Sequence, residues 1–160
     1  MANTKRSYWL MKSEPDVYSV DDLSREVVGT WEGVRNYQAR NHMRAMQKND
    51  LAFFYHSSTE PPGIVGVMKV EREAYTDPTQ FDPKGPYYDA KSRPAEPRWD
   101  RVDVRFVEKL KAPITLAELK ADPSCAEMLV IRRGMRLSVQ PVDQEHFAHL
   151  LKRAKAKTKP

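Results

Sequence analysis

The chain has 160 residues, 40% of them hydrophobic and 31% charged, with a formal net charge of +5. That length suits one domain able to withdraw roughly 70% of its unfolded surface from water. The single cysteine, Cys125, excludes an internal disulfide, no Cys and His grouping has structural-zinc spacing, and no apolar stretch suits a signal core or a membrane span.

In chain order, Ser7 to Lys12 reads as a strand, with Tyr8, Leu10 and Lys12 on one side and Trp9 and Met11 on the other. Ser19, with Asp22 three residues on, predicts a capped helix through Leu23 to Val27 that Gly29 stops. Gly29 to Asn36 has no helical period, and a second helix starts at Asn36. Asp50 to His56 and Ile64 to Tyr75 read as strands joined across Pro61-Pro62-Gly63. Thr76 to Trp99 holds five prolines and four aromatics. It reads as a long ordered loop pinned by Phe81, Tyr87, Tyr88 and Trp99. Val102 to Lys111 alternates as a half-exposed strand ended by Pro113, and Thr115 with Glu118 caps a short helix. Met135 to Val142 is a strand, and Asp143 caps a last helix burying Phe147, Leu150 and Leu151.

Strands outnumber helices without the alternation of a parallel sheet. The fold class is therefore α+β, a curved mixed sheet or small barrel with flanking helices. Residues 1–151 form a single domain, and 152–160 a basic flexible tail. Lys152, Arg153, Lys155, Lys157 and Lys159 carry the whole excess charge: without them the 27 basic residues fall level with the 22 acidic ones. The tail supplies at most non-specific phosphate attraction.

Three clusters stand out as candidate sites. Trp31, Gly33, Val34, Arg35 and Asn36 combine a stacking aromatic, a glycine that permits close approach, a guanidinium and an amide. Position alone favours Trp31 as a core residue and allows Asn36 as a helix cap. Lys12, Ser13 and Glu14 end one strand, and Tyr55, His56 and Ser57 end another. Both are also ordinary strand ends. Adjacent His56 and Ser57 would point to opposite faces, which argues against a catalytic dyad. Cys125 has no basic partner nearby in sequence, and His146 with His149 suggests no third metal ligand. No phosphate loop or dinucleotide fingerprint is present. No catalytic residue, metal or cofactor is expected.

Several blocks together resemble the EVE domain. They are Tyr8-Trp9-Leu10-Met11-Lys12-Ser13-Glu14-Pro15, the run Trp31 to Arg40, Phe53 to Ser57, Pro62-Gly63-Ile64-Val65-Gly66, Ala74 to Asp82, Pro86 to Asp89, Pro97-Arg98-Trp99 and Arg136 to Pro141. Their order runs from about Tyr8 to Leu151, and the resemblance extends more distantly to YTH readers of methylated adenine. It implies a PUA-like barrel with a pocket for a modified base, such as 5-methylcytosine, 5-hydroxymethylcytosine or a modified RNA base. Carried over by position, Trp31 is an aromatic wall, Lys12, Ser13 and Asn36 contact base edges or backbone, and Arg35 meets a polar edge or a phosphate. Tyr55, His56 and Ser57 line the far side, and Trp99, Ser138, Val139 and Gln140 close the rim. Glu14, Gly33, Val34, Gly63 and Ile64 complete the implied set.

The expected function is non-catalytic recognition of a modified base in DNA or RNA, flipped from its stack to lie on Trp31. A Trp31→Ala variant is then expected to lose binding and keep the fold. A binder of a free modified nucleoside is the alternative, favoured by the neutral body. A hydrolase or nuclease acting through His56 or Cys125 is the third reading. No membrane and no particular protein partner are implied, and the expected compartment is the cytoplasm, or the nucleus for a eukaryotic source.

Overall fold

The computed structural model describes residues 6–160. Ten elements follow one another as β1 (Tyr8–Ser13), α1 (Val20–Glu26), β2 (Val28–Trp31), α2 (Tyr37–Ala45), β3 (Leu51–His56), β4 (Gly63–Thr76), β5 (Asp100–Thr115), α3 (Leu116–Ala121), β6 (Val139–Val142) and α4 (Gln144–Arg153). The strands form one six-stranded sheet in the order β2-β5-β4-β3-β1-β6. Only β1 and β3 run parallel; their neighbours pair antiparallel. The sheet is mixed and open, which decides for the curved sheet over the closed barrel.

The period of two along β1 sets which residues reach which layer. Trp9 and Met11 join Trp31, Phe54, Met68, Val102 and Val104 under α1 and α2. Tyr8 and Leu10 join Phe53, Tyr55, Ile64, Val67 and Leu110 under α3 and α4, where Phe147, Leu150 and Leu151 fill the face. β1 thus has both faces covered, as its apolar run predicts. Asp50 anchors its start, accepting the Trp9 indole N–H at 3.0 Å and the Ser7 amide at 3.0 Å.

Both predicted capping boxes form, at Ser19 with Asp22 and at Thr115 with Glu118. The structure also departs from the sequence reading. β2 falls in the segment without a helical period, where four residues are too few to display alternation, and it pairs Val28 to Trp31 with Arg105 to Val102 at the sheet edge. Pro113 does not end β5. Beyond Arg105 that strand has lost β2 as a neighbour, and a register shift between Ile64 and Gly66 leaves bulged backbone opposite them, where a missing N–H costs no ladder bond. Residues 135–138 are loop, so β6 starts only at Val139. Asp143 sits at the N-cap of α4 without a side-chain cap bond.

The basic segment 152–160 lies along the body with its lysines exposed and its alternate residues partly covered. Arg153 ends α4, Ala154 and Ala156 pack on the core under α3 and α4, and the Glu108 carboxylate accepts the amides of Lys157 and Thr158 at 3.1 and 2.7 Å. Apolar alternate residues and an acceptor on β5 outweigh the charge that composition emphasises. Among the described residues no helix is long and apolar enough to cross a membrane.

Candidate functional site

A 650 Å³ cavity opens at the end of the sheet where β1 finishes and β2 meets the loop before α2. Its walls include Lys12, Ser13, Glu14, Val17, Tyr18, Glu26, Thr30, Trp31, Glu32, Gly33, Val34, Arg35, Tyr87 and Ser138. That volume falls among those that enclose small ligands. The first and second sequence clusters therefore converge, joined by Ser138.

Glycines let the aromatic walls in. A Cβ on Gly29 would stand 2.1 Å from the Tyr18 hydroxyl, and one on Gly33 would meet the Tyr87 ring at 2.7 Å while the backbone holds φ +80. Tyr18 donates to Glu26 at 2.6 Å, and burial followed by the Glu26 carboxylate pushes its phenol well above the usual range. Trp31 is 5% exposed. Its ring meets Phe54 at 5.1 Å and Tyr18 at 6.2 Å, both near perpendicular, so it is a core residue that also borders the cavity. Trp9 and Trp99 donate their indole N–H to Asp50 and Asp89, whereas that of Trp31 has no protein partner among the described residues.

Arg35 is committed to the protein. Its Nε and Nη2 donate to the Tyr87 carbonyl at 3.0 and 2.8 Å. Nη1 reaches the Val34 carbonyl and Asp77, and Nη2 also reaches Thr79 Oγ1. Five hydrogen bonds match the five donors of a guanidinium and leave none for a phosphate. The expected polar-edge or phosphate contact is therefore replaced by a structural one: Arg35 fixes the backbone of Tyr87. Burial favours a protonated Asp77, but bonds from Thr79, the Gly33 amide and Arg35 together hold its carboxyl below the ordinary range.

The remaining expected residues lie outside the cavity walls. Asn36 caps α2, its side chain accepting the Ala39 amide at 2.9 Å. Tyr55 is buried beneath Lys12, whose Nζ sits 5.6 Å from the ring centroid. His56 accepts the Val20 amide on Nε2 at 3.1 Å and so holds the start of α1; burial lowers its pKa and keeps the ring neutral. Ser57 donates its amide to the Ser13 carbonyl. Gly63 faces the Ile114 carbonyl too closely for a Cβ, and Ile64 is fully buried. Trp99 stacks on Tyr37 behind Arg35, with centroids 4.7 Å apart. Val139 and Gln140 are buried in β6, and Gln140 donates to the Leu137 carbonyl at 2.7 Å.

The sequence reading missed Val17, Tyr18, Glu26, Thr30, Glu32 and Tyr87. Thr30 and Glu32 flank Trp31 and follow once β2 is known. Tyr87 has no local signal, since only the path of the loop brings it to Gly33.

On the other side of the sheet the fold gathers Asp122, Cys125 and His149, with ligand-capable atoms within 4.8 Å of one another. This grouping was not visible in sequence spacing. His149 and Arg153 hold Asp122 at 2.7 and 2.8 Å, and burial, then Asp122, pushes the Cys125 thiol up to about 11. A buried thiol so hard to ionise is a poor nucleophile.

The cavity walls therefore include the aromatic rings of Tyr18, Trp31 and Tyr87, a partly buried Lys12 amine whose pKa burial lowers, and the carboxyl residues Glu14, Glu26 and Glu32, of which Glu26 accepts from Tyr18 and Glu32 pairs with Arg101. No His or Cys is among these walls. Carboxylates accept from an exocyclic amino group of the cytosine kind, and indole or ammonium groups donate to ring acceptors.

The EVE domain family model matches residues 7–153. Mouse thymocyte nuclear protein 1 is 45% identical over 163 residues, covering 91% of this chain and 72% of that protein. A solved Pseudomonas syringae protein superposes with a TM-score of 0.90 at 45% identity, covering 92% of this chain and 99% of the other. The human THYN1 protein, solved in complex with 5-methylcytosine-containing DNA, gives a TM-score of 0.88 at 43% identity, covering 96% and 99%.

Proposed function

The chain belongs to the EVE domain family, and from that premise we propose that its cavity holds a modified cytosine base of DNA and performs no chemistry on it. The observation that carries this reading is the human neighbour, bound to DNA containing 5-methylcytosine and matching nearly the whole chain. The cavity walls support it. Tyr18 and Tyr87 supply ring faces, the Trp31 indole N–H and the Lys12 amine donate to ring acceptors, and a carboxylate accepts from the amino group. Trp31 is held in the core, so the expected stacking passes to the tyrosines. The base leaves its duplex stack at a cost of a few kcal/mol, which these contacts offset.

The non-catalytic reading rests on the hydroxyls and on the distant candidates. Ser13 Oγ donates to the Tyr18 carbonyl at 2.7 Å, so its proton is given to the backbone and not to a carboxylate or amine of the wall. His56 and Cys125, the two catalytic candidates, serve the backbone and the core. For a eukaryotic source the nucleus suits a DNA target and agrees with the name of the mouse relative. The cytoplasm has no such support.

A steric plug tests this directly. Ser138, half-buried in the wall, is replaced by Trp, and affinity is measured for duplexes with and without one 5-methylcytosine. Loss of the preference for the modified duplex, with unfolding unchanged, is expected. A folded Ser138→Trp protein that retains the preference contradicts the assignment.

A further inference from the structure

Among the described residues, Arg25, Arg35, Arg44, Arg98, Arg101, Arg105 and Arg153 each face a carboxylate; Arg6, Arg40, Arg72, Arg93, Arg132, Arg133 and Arg136 are in no ion pair, and of these Arg40 and Arg72 lie over the rings of Tyr37 and Tyr75, while Arg132, Arg133 and Arg136 are grouped in one turn. These last three lie within five exposed or half-exposed residues between the turn Leu129–Ile131 and β6. The chain folds back there, the Met135 amide donating to the Arg132 carbonyl at 3.1 Å, and Gly134 takes φ +75 with open space where a Cβ would stand. The turn is fastened to the cavity. The Lys12 amine reaches the Met135 carbonyl at 3.4 Å, the Lys12 amide donates to the Ser138 carbonyl at 2.8 Å, and Ser138 is itself a wall.

Arg132 shares a neighbouring groove with Glu127 and Asp143, which leaves Arg133 and Arg136, with the unpaired Lys12 of the cavity wall, as the positive groups on this side of the turn. The C-terminal basic segment does not compete for this place. Its Arg153 is held by Asp122 and Glu118, and Ala154 and Ala156 pack on the sheet face away from Trp31.

We propose that the Arg132–Arg136 turn is a phosphate-binding lip, where Arg133 and Arg136 hold the backbone phosphates of the strand whose base enters the cavity. The placement beside the cavity rests on the reading above, but the phosphate attraction itself is independent of base and modification. Guanidinium forks pair with phosphate oxygens bidentately, and each neutralised phosphate releases counterions. The lip thus gives a nearly neutral body its hold on a polymer.

Four probes test the lip: a duplex with one 5-methylcytosine, the same duplex unmodified, free 5-methyl-2′-deoxycytidine and its 5′-monophosphate, each measured across a salt series. The double variant Arg133→Ala/Arg136→Ala is expected to weaken both duplexes alike. Its slope of log affinity against log salt should fall by about 1.8, near 0.9 per lost phosphate contact, with nucleoside affinity unchanged. A control with Lys152, Lys155 and Lys159 changed to Ala is expected to keep most of the slope. An unchanged slope in the arginine variant, or loss of slope only in the lysine variant, overturns the lip. A loss confined to the monophosphate assigns the turn to a free nucleotide and overturns the polymer form. If the wild-type protein shows no preference for the modified duplex while the slope still falls, the cavity reading fails and the lip stands. Repeating the measurement with Arg133→Gln/Arg136→Gln, which keeps polar side chains, separates lost charge from any local disorder.

Discussion

Arg35 and Asp77 show how a residue with the chemistry of a ligand contact can serve the wall instead. Asp77 is fully buried and Arg35 mostly so. Asp77→Ala strands the guanidinium and is predicted to cost about 3–5 kcal/mol, toward the lower end because Arg35 keeps some water contact; denaturant unfolding reads this. Because the folded-state pKa of Asp77 lies below its ordinary 3.8, its contribution is present above that value and lost as pH falls through the folded-state pKa. His56 works in the same direction nearer neutrality. Its depressed pKa means the unfolded chain takes up the proton first, so stability is complete above 6.5 and falls as pH drops below it. His56→Gln, which keeps an acceptor for the Val20 amide, is predicted to flatten the unfolding profile below that pH; an unaltered profile contradicts the assignment. Trp31 needs two variants. Its burial makes Trp31→Ala cost about 3–5 kcal/mol, against the expectation of an intact fold. Trp31→Phe keeps the core, removes only the donor, and is predicted to weaken binding of the modified duplex about 3- to 10-fold, the worth of one hydrogen bond.

At the scale of elements, the loop between β4 and β5 places Tyr87, and its anchor is the amide of Gln80. This fully buried side chain donates to the carbonyls of Asp77 and Trp99 at 2.5 and 2.8 Å and accepts from Ser92 and the amides of Arg98 and Trp99. Gln80→Leu is predicted to leave those groups unsatisfied, speed hydrogen exchange through 77–99 and weaken binding without touching a cavity wall. The sequence made the loop's order legible through its prolines and aromatics, and made the helices legible through Ser19, Asn36 and Thr115. It hid β2, because four residues carry too little alternation, and it hid the continuation of β5, because Pro113 reads as a stop until an unpaired edge is known. Tyr87 and Asp77 were hidden for the same reason. Their roles arise from a contact with Gly33 more than forty residues away in the chain.

At the scale of the molecule, one sheet serves both helical layers, with Trp9 and Met11 on one face and Tyr8 and Leu10 on the other. The two cores share every central strand. We therefore propose one domain, whose unfolding is predicted to be a single transition with coincident fluorescence and circular-dichroism midpoints. The composition placed the excess charge in the last nine residues, yet the fold packs that segment on the face away from Trp31 and sets unpaired arginines beside the cavity. Charge counts could not show this, since pairing depends on which carboxylates the fold brings near. Whether the cavity takes a modified base is read from wild-type affinity for one duplex with a single 5-methylcytosine against its unmodified twin. The modified duplex is expected to bind tighter by the worth of one methyl against an apolar side chain, about 1–3 kcal/mol or on the order of 10- to 200-fold. Equal affinity for the two duplexes contradicts that reading.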